Sequence, residues 1–451
     1  MDVMAAEVAY PPTFPLLVAA GLTWLEPIPS LVVAALAAKS LFVLAIYVCC
    51  RPMGRSYALA AAICSGVAGA QLEAYAWGGY PQLMATGSGL LAVFFVVRWV
   101  GERRRKSLVL GYVLAIVTFA THTLIGGLLL VALPAAMAHW LFLTKAHRGE
   151  WLRGVAGALS LVIPAGVFTV VTTVTGSREG MSAVLNPYGL SLLESLEQTI
   201  RDAVLPWIVV AILGVAGLVV REVKGPQAAT TAVGSSWSLV GLVFLLFTGE
   251  PRALLLTQVG LIVLGCLTVR RVLGRIGPRR GGGTQKPQRW AFAVVMTLVI
   301  SMMSAIVAGG IGSYATATTW YRVANEDVLD ALDWLRDQST ADDLMLASNG
   351  PNGNPLGWWV QGYGQRRTYT SIDARFLAFS DERDQAEIAE QVFDPSTAMS
   401  VVRATLDEHG IDFLVVDRRG SSAGWLGEDV AAEFTILWES PSVAILDAVN
   451  R

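Results

Sequence analysis

SLVVAALAAKSLFVLAIYVCC, residues Ser30–Cys50, carries one charge, Lys39, and is followed at once by Arg51. A helix needs about twenty apolar residues to cross a bilayer, so this stretch reads as a membrane span. The same reading extends outward along the chain. Further apolar blocks lie at Tyr57–Gln71, Met84–Val100, Leu108–Thr121, Leu124–Phe142, Gly154–Thr175, Trp207–Val220, Trp237–Phe247, Ala253–Val269 and Ala291–Ile311. The earlier Phe14–Trp24 is too short to span and reads as a re-entrant or interfacial helix, ended before Pro27 and Pro29. The expectation is a mainly α protein: a polytopic transmembrane bundle of about ten spans over residues 1–320. A soluble extracytoplasmic α/β domain would follow over 321–451.

Composition agrees. The chain has 451 residues, 54% hydrophobic and 15% charged, against about 25% charged in soluble domains. Its net charge of −2 excludes a globally basic nucleic-acid binder. The four cysteines, Cys49, Cys50, Cys64 and Cys266, all fall in apolar blocks, which argues against a disulfide framework or a zinc site. Asp2 and Glu7 occupy the region where a secretory signal would carry basic residues.

Arg and Lys gather in every second connection: Arg51 and Arg55, Arg103 to Lys106, Lys145 to Arg153, Arg221 and Lys224, and Arg270 through Arg289. The connections between them are poorer in basic residues. By the positive-inside rule this places the N-terminus and the C-terminal domain outside the cell membrane.

The C-terminal segment alternates. Ala324–Gln338 predicts a helix with Asn325 as its cap, and Leu344–Ser348 a strand. The turn-rich 349–355 follows. Helices are expected at Asp381–Val392 and Pro395–His409, and strands at Asp412–Asp417, Phe434–Trp438 and Val443–Leu446. There is no Gly-rich phosphate loop after a strand, so no nucleotide fold is expected.

Five segments could carry chemistry. The connection from Gln71 to Gln82 holds Glu73, Tyr75, Trp77, Gly78, Gly79 and Tyr80. It reads either as a sugar site, with Glu73 as base or metal ligand, or as an interfacial aromatic belt. His122 could bind phosphate or simply end a helix at the interface. Arg252, in the turn Glu250-Pro251-Arg252, could clamp a phosphate or snorkel beside Glu250. Lys39 is a charge inside a span, and such charges face a cavity or a partner. Trp358 and Trp359, followed by Arg366 and Arg367, sit on a Gly/Asn/Pro-rich stretch, where they either stack on a saccharide or pack on other protein surface. His139 and His147 lie near the basic boundary, away from these groups, and His409 precedes Gly410 at a helix end.

Taken in order, several of these segments resemble the GT-C superfamily of polytopic glycosyltransferases. Tyr10-Pro11-Pro12-Thr13-Phe14-Pro15 resembles the segment that ends the first external loop in many of them. Trp77-Gly78-Gly79-Tyr80-Pro81-Gln82 resembles a related archaeal and bacterial branch. Glu250-Pro251-Arg252 resembles a late external turn whose Arg meets the lipid phosphate. The Trp358–Arg367 region resembles the superfamily's extracytoplasmic domain. The resemblance implies transfer of a sugar from a polyprenyl-phosphate donor to an external glycan or protein acceptor among membrane lipids. Glu73 or Glu7 would be the base, with Arg252, Lys39, Trp77, Tyr80, His122, Trp358, Trp359 and Arg367 around the substrates. The family places a helix before its first external loop, and none precedes Tyr10. It often holds a divalent cation, Mg or Mn, on an acidic pair in the second external loop, where this chain has Glu73 alone. Two rival readings are a non-catalytic scaffold or glycan-binding partner of a glycosyltransferase, and a transporter. The transporter reading rests on Lys39 alone, without visible internal repeats.

Overall fold

The computed structural model describes residues 13–68, 72, 79–145, 149–157, 160, 212, 214, 226–248, 253–276, 286–320, 322–370 and 380–449. The chain divides into two compact units. One comprises Met1–Gly176 with Leu190–Ala315, and the other Ser177–Gly189 with Thr316–Arg451.

The first unit is a helical bundle. Its described helices are α1 (Thr13–Gly21), α2 (Pro27–Cys50), α3 (Arg55–Gly66), α4 (Tyr80–Glu102), α5 (Arg105–Thr121), α6 (Thr123–Thr144), α7 (Pro226–Thr248), α8 (Ala253–Ile276) and α9 (Lys286–Trp320), whose last residues belong to the second unit. Among the described residues five helices are long and apolar enough to cross a membrane, by length and composition. They are Ile28–Met53, Tyr80–Glu102, Leu124–Thr144, Pro226–Leu246 and Leu255–Arg275. The ten expected spans are therefore not confirmed, and five qualify among the described residues; α3 and α5, at 12 and 17 residues, are shorter. Most of the expected blocks Gly154–Thr175 and Trp207–Val220 lie outside the described residues.

Three helix seams pack through glycine. Gly87 of α4 lies against the backbone of α2, so that a Cβ there would come within 2.9 Å of the Phe42 Cα. Gly89 of the same helix meets the Trp237 ring of α7. Gly260 of α8 faces the Gly234 carbonyl and Ser238 of α7. Without a hydrophobic drive between helices in lipid, this close approach is what holds such seams. α7 begins eleven residues before the expected span. Its first half is rich in Ala, Thr and Ser, and the hydroxyls of Thr231, Ser235, Ser236 and Ser238 donate to carbonyls three or four residues back. Low hydropathy there reflects self-satisfied hydroxyls, not a loop.

Among the described residues the basic connections after α2, α4 and α6 and the basic end of α8 lie at one end of the bundle. There α2 turns through Arg51–Met53 and Gly54 (φ 115°) into α3, a left-handed position that suits glycine. Thr230 donates to the Cys49 carbonyl (2.6 Å) and Arg270 to that of Pro52 (3.3 Å), joining α7 and α8 to the end of α2.

The second unit is a three-layer α/β fold. Its elements are α10 (Glu326–Gln338), β1 (Leu344–Ala347), α11 (Gly357–Gly362), β2 (Arg367–Thr368), α12 (Ser380–Val392), α13 (Met399–His409), β3 (Phe413–Asp417), α14 (Glu428–Glu433), β4 (Thr435–Glu439) and β5 (Val443–Asp447). The sheet order is β2-β1-β3-β5-β4, with β2, β1 and β3 parallel and the last two strands antiparallel. Alternation along the strands sorts the core. Leu346, Leu414, Val416 and Leu446 face Val392, Val402 and Leu406 of α12 and α13. Met345, Val415 and Ile445 face Val328, Leu332 and Leu335 of α10.

Candidate functional site

The non-basic end of the bundle gathers the described polar candidates. α1 folds back on α2, with Ser30 Oγ donating to the Val18 carbonyl (2.6 Å). This brings the Phe14 ring to 5.8 Å from the Tyr80 ring at the start of α4. Phe14, Ala34 and Ala38 form a small buried cluster that Tyr80 and Met84 cover. Lys39 follows Ala38. It lies twelve residues into α2, about 18 Å along the helix at 1.5 Å per residue, and its ammonium nitrogen is shut from solvent. An amine there, inside the first long apolar helix, costs a few kcal/mol in lipid.

Pro81 in the first turn of α4 is pre-set for a helix start. Tyr80, Pro81 and Gln82 are therefore helical, where the sequence suggested a connection. Gln82 is buried, and its Oε1 has no hydrogen-bond partner among the described residues. Deeper on the same helix Ser88 and Thr118 of α5 share a hydrogen bond of 2.9 Å. His122 is the extended residue between α5 and α6. Its amide donates to the Thr118 carbonyl (3.1 Å), its own carbonyl accepts from Gly126 (2.9 Å), and its Nδ1 is buried. In the first turns of α8 the Gln258 Oε1 is also buried and without a partner among the described residues. Sequence reading passed over Gln82 and Gln258 because it followed charge and aromaticity; an amide inside an apolar run is a comparable signal.

Glu7, Glu73, Trp77 and Arg252 lie outside the described residues. Lys39, Tyr80 and His122 all belong to the bundle, whereas Trp358, Trp359 and Arg367 belong to the second unit. Among the described residues no group of three or more His, Cys, Asp or Glu could hold a metal ion.

In the second unit the tryptophan pair is on the short helix α11, not a loop. Trp358 is 52% exposed, and Trp359 packs half-buried on the α10 side of the sheet. Arg366 closes the end of α10, donating to Ser339 Oγ (2.7 Å) and the Ser339 carbonyl (2.8 Å). Arg367 reaches the Asp342 carbonyl at 3.4 Å. Both arginines thus hold backbone. Tyr363 donates to Asp333 at 3.3 Å, and burial, then the Asp333 charge, push its hydroxyl above the usual tyrosine value. The crevice beyond the C-terminal ends of β1 and β3, where open α/β sheets usually take ligands, is filled by the chain itself. Asp417, fully buried, accepts from the Arg419 guanidinium at 2.6 and 3.2 Å, and Arg419 also donates to the Val323 carbonyl (2.6 Å). Gly420 presses on the carbonyls of Asn349 and Gly350.

No family model matches the chain, and no curated protein does. Solved structures do. ArnT from Cupriavidus metallidurans, bound to undecaprenyl phosphate, matches at 13% identity with a TM-score of 0.53, over 98% of this chain and 88% of ArnT. The same enzyme in the apo state gives a TM-score of 0.54. The archaeal oligosaccharyltransferase AglB from Archaeoglobus fulgidus, in complex with an inhibitory peptide and a dolichol-phosphate, matches at 13% identity with a TM-score of 0.56, over 91% of this chain. The chain spans 61% of AglB's length. The chain shares the fold of ArnT and AglB. At this identity the likeness defines the architecture.

Proposed function

We propose that the protein transfers a sugar from a polyprenyl-phosphate donor to an external acceptor, at the non-basic end of the bundle. One observation carries this reading: a GT-C architecture over nearly the whole chain, with a buried amine, Lys39, inside its first long apolar helix. The basic connections would face the cytoplasm and the C-terminal unit the outside. Phosphate is a good leaving group, so a single carboxylate that takes the acceptor proton is enough base. Glu73 takes that role, or Glu7 if it folds over the same cavity. Arg252 and Lys39 neutralise the departing phosphate, and Tyr80 and His122 line the sugar.

The test is sugar transfer in membranes with the donor supplied. Glu73→Gln is expected to lower turnover by two to four decades, about the contribution of a positioned base, while donor binding persists. Unchanged transfer refutes the base assignment. Chelation with EDTA settles the cation: loss of transfer restored by Mg or Mn would add a metal that Glu73 alone holds among the acids of its connection.

A second reading, a glycan-binding partner of another transferase, is favoured by the exposed Trp358. It predicts that Trp358→Ala abolishes glycan binding while the purified chain shows no transfer.

A further inference from the structure

The flank of the bundle carries a groove at the basic end, between α3, α8 and α9. Its volume is about 440 Å³, within the range of sites that hold small molecules. Tyr57, Cys64, Ile262, Cys266, Leu273 and Met303 are among its lining residues. Apart from the Ser56 and Tyr57 hydroxyls at one end, the wall is aliphatic, aromatic, thiol or thioether. It extends from Ser56 to Cys64 along α3 and from Gly274 to Ile262 along α8. At 1.5 Å per residue these are about 12 and 18 Å. One leaflet of hydrocarbon is about 15 Å deep, half of a 30 Å core, so the slot is one leaflet deep.

Its open end has a cationic rim. Arg55 directly precedes Ser56, and Arg271 and Arg275 flank Gly274; Arg55 and Arg275 are exposed. No Asp or Glu occurs anywhere in α3, α8 or α9. Elsewhere on this end Glu102 pairs with Arg98 and Arg104. A slot one leaflet deep, beside the exposed Arg55 and Arg275, is complementary to an apolar chain with an anionic head.

We propose that this groove seats an acyl chain of an anionic glycerophospholipid from the leaflet at the basic end, with the lipid phosphate on Arg55 and Arg275. Basic pockets between transmembrane helices recognise anionic head groups in this way. The site is separate from the one proposed for catalysis, because Tyr80, Gln82 and His122 stand at the opposite end of α4, α5 and α6. The lipid would brace α9, whose Met303 and Ile306 otherwise join the bundle core at the groove's deep end.

Native mass spectrometry of the full chain in mild detergent tests this. The delipidated protein is titrated with phosphatidylglycerol, with phosphatidylcholine of the same chains, and with undecaprenyl phosphate. Phosphatidylglycerol is expected to bind about tenfold or more tightly than phosphatidylcholine, from roughly fivefold per arginine. The double variant Arg55→Gln with Arg275→Gln is expected to erase that preference; both side chains are exposed, so folding is spared. Ala60→Phe, on the groove wall, is expected to weaken both phospholipids equally. Equal binding of the two phospholipids, or a preference that survives the double variant, overturns the proposal. So does undecaprenyl phosphate displacing phosphatidylglycerol at equal concentration, which would make the groove an isoprenoid site. A loss of sugar transfer in Glu73→Gln bears on none of these readings.

Discussion

Gly87→Ala adds one methyl group where α4 crosses α2. The new Cβ would stand 2.9 Å from the Phe42 Cα, 3.1 Å from its nitrogen and 3.4 Å from the Leu41 carbonyl carbon. Every one of these atoms is backbone, so no side chain can swing aside. Ordinary contact needs at least 3.4 Å, and the two helices must part by about half an ångström or more. A gap of that size already forfeits about a quarter of the dispersion well for each facing atom pair. The seam includes Phe42, Ala45, Ile46 and Cys49 against Leu83, Leu90 and Leu91, all buried. Overpacking of this kind costs about 1–3 kcal/mol. Against it stands the gain of alanine over glycine inside a helix, up to about 1 kcal/mol. The net expectation is a loss of about 1–2 kcal/mol. Gly309→Ala on α9 is the control, because a Cβ there meets nothing within 4 Å and only the helix gain remains. Unfolding in mixed micelles, followed by tryptophan fluorescence, should separate the two variants by the overpacking cost alone, about 1–3 kcal/mol, since the helix gain is common to both. Because Lys39 lies one turn before Phe42, transfer activity should fall in Gly87→Ala as well. A Gly87→Ala protein as stable as Gly309→Ala would refute the seam as drawn.

Asp417→Ala leaves the Arg419 guanidinium against the Val323 carbonyl without its counter-charge, and the second unit should lose about 3 kcal/mol, read by its melting. Asn325→Ala removes an N-cap that accepts from the Val328 amide at 3.0 Å, for about 1 kcal/mol by the same measurement. Tyr363 has its folded value raised above 10.0, so its contribution is fully present below that pH and is lost as pH rises through the higher folded value. Tyr363→Phe should therefore flatten the alkaline limb of the melting curve.

The second unit was legible almost residue by residue because its elements alternate cleanly. The Asn325 cap, the strands at Leu344, Phe413, Thr435 and Val443, and the helices ending at Val392 and His409 stand within four residues of their expected bounds. The bundle was less so. Pro27 and Pro29 read as stops, but proline in a first turn starts a helix as readily as it ends one, and α2 begins at Pro27. The same error put Tyr80 and Pro81 in a connection. Gly79 ends the loop there, and the helix begins at the next residue. The start of α7 was lost because Thr and Ser lower hydropathy whether or not their hydroxyls are already bonded within the helix. Of the candidate site, Lys39 stood out in the sequence as a charge inside an apolar run, and its ammonium nitrogen is buried. Arg366 and Arg367 were not, since nothing in a sequence separates an arginine that holds backbone from one that awaits a ligand. Gln82 and Gln258 escaped because an amide carries no charge to mark it.

The two ends of the bundle differ in what their polar groups do, and the difference bears on where chemistry can occur. At the basic end side-chain hydrogen bonds tie the helices together: Thr230 to the Cys49 carbonyl, Arg270 to that of Pro52, and His139 Nδ1 with Ser235 Oγ. Such bonds fix α2, α7 and α8 to one another and use up their donors. Midway, Ser88 and Thr118 satisfy each other. Toward the non-basic end the Oε1 atoms of Gln82 and Gln258 are buried without partners among the described residues. An unmet buried acceptor costs about 1–3 kcal/mol, a cost that a bound hydroxyl-rich ligand would remove. Structural ties at one end and unmet acceptors at the other make the non-basic end the place where a sugar gains most by binding. Substitutions at the Thr230 tie should accordingly move stability, and those at Gln82 and Gln258 should move donor affinity with stability nearly unchanged.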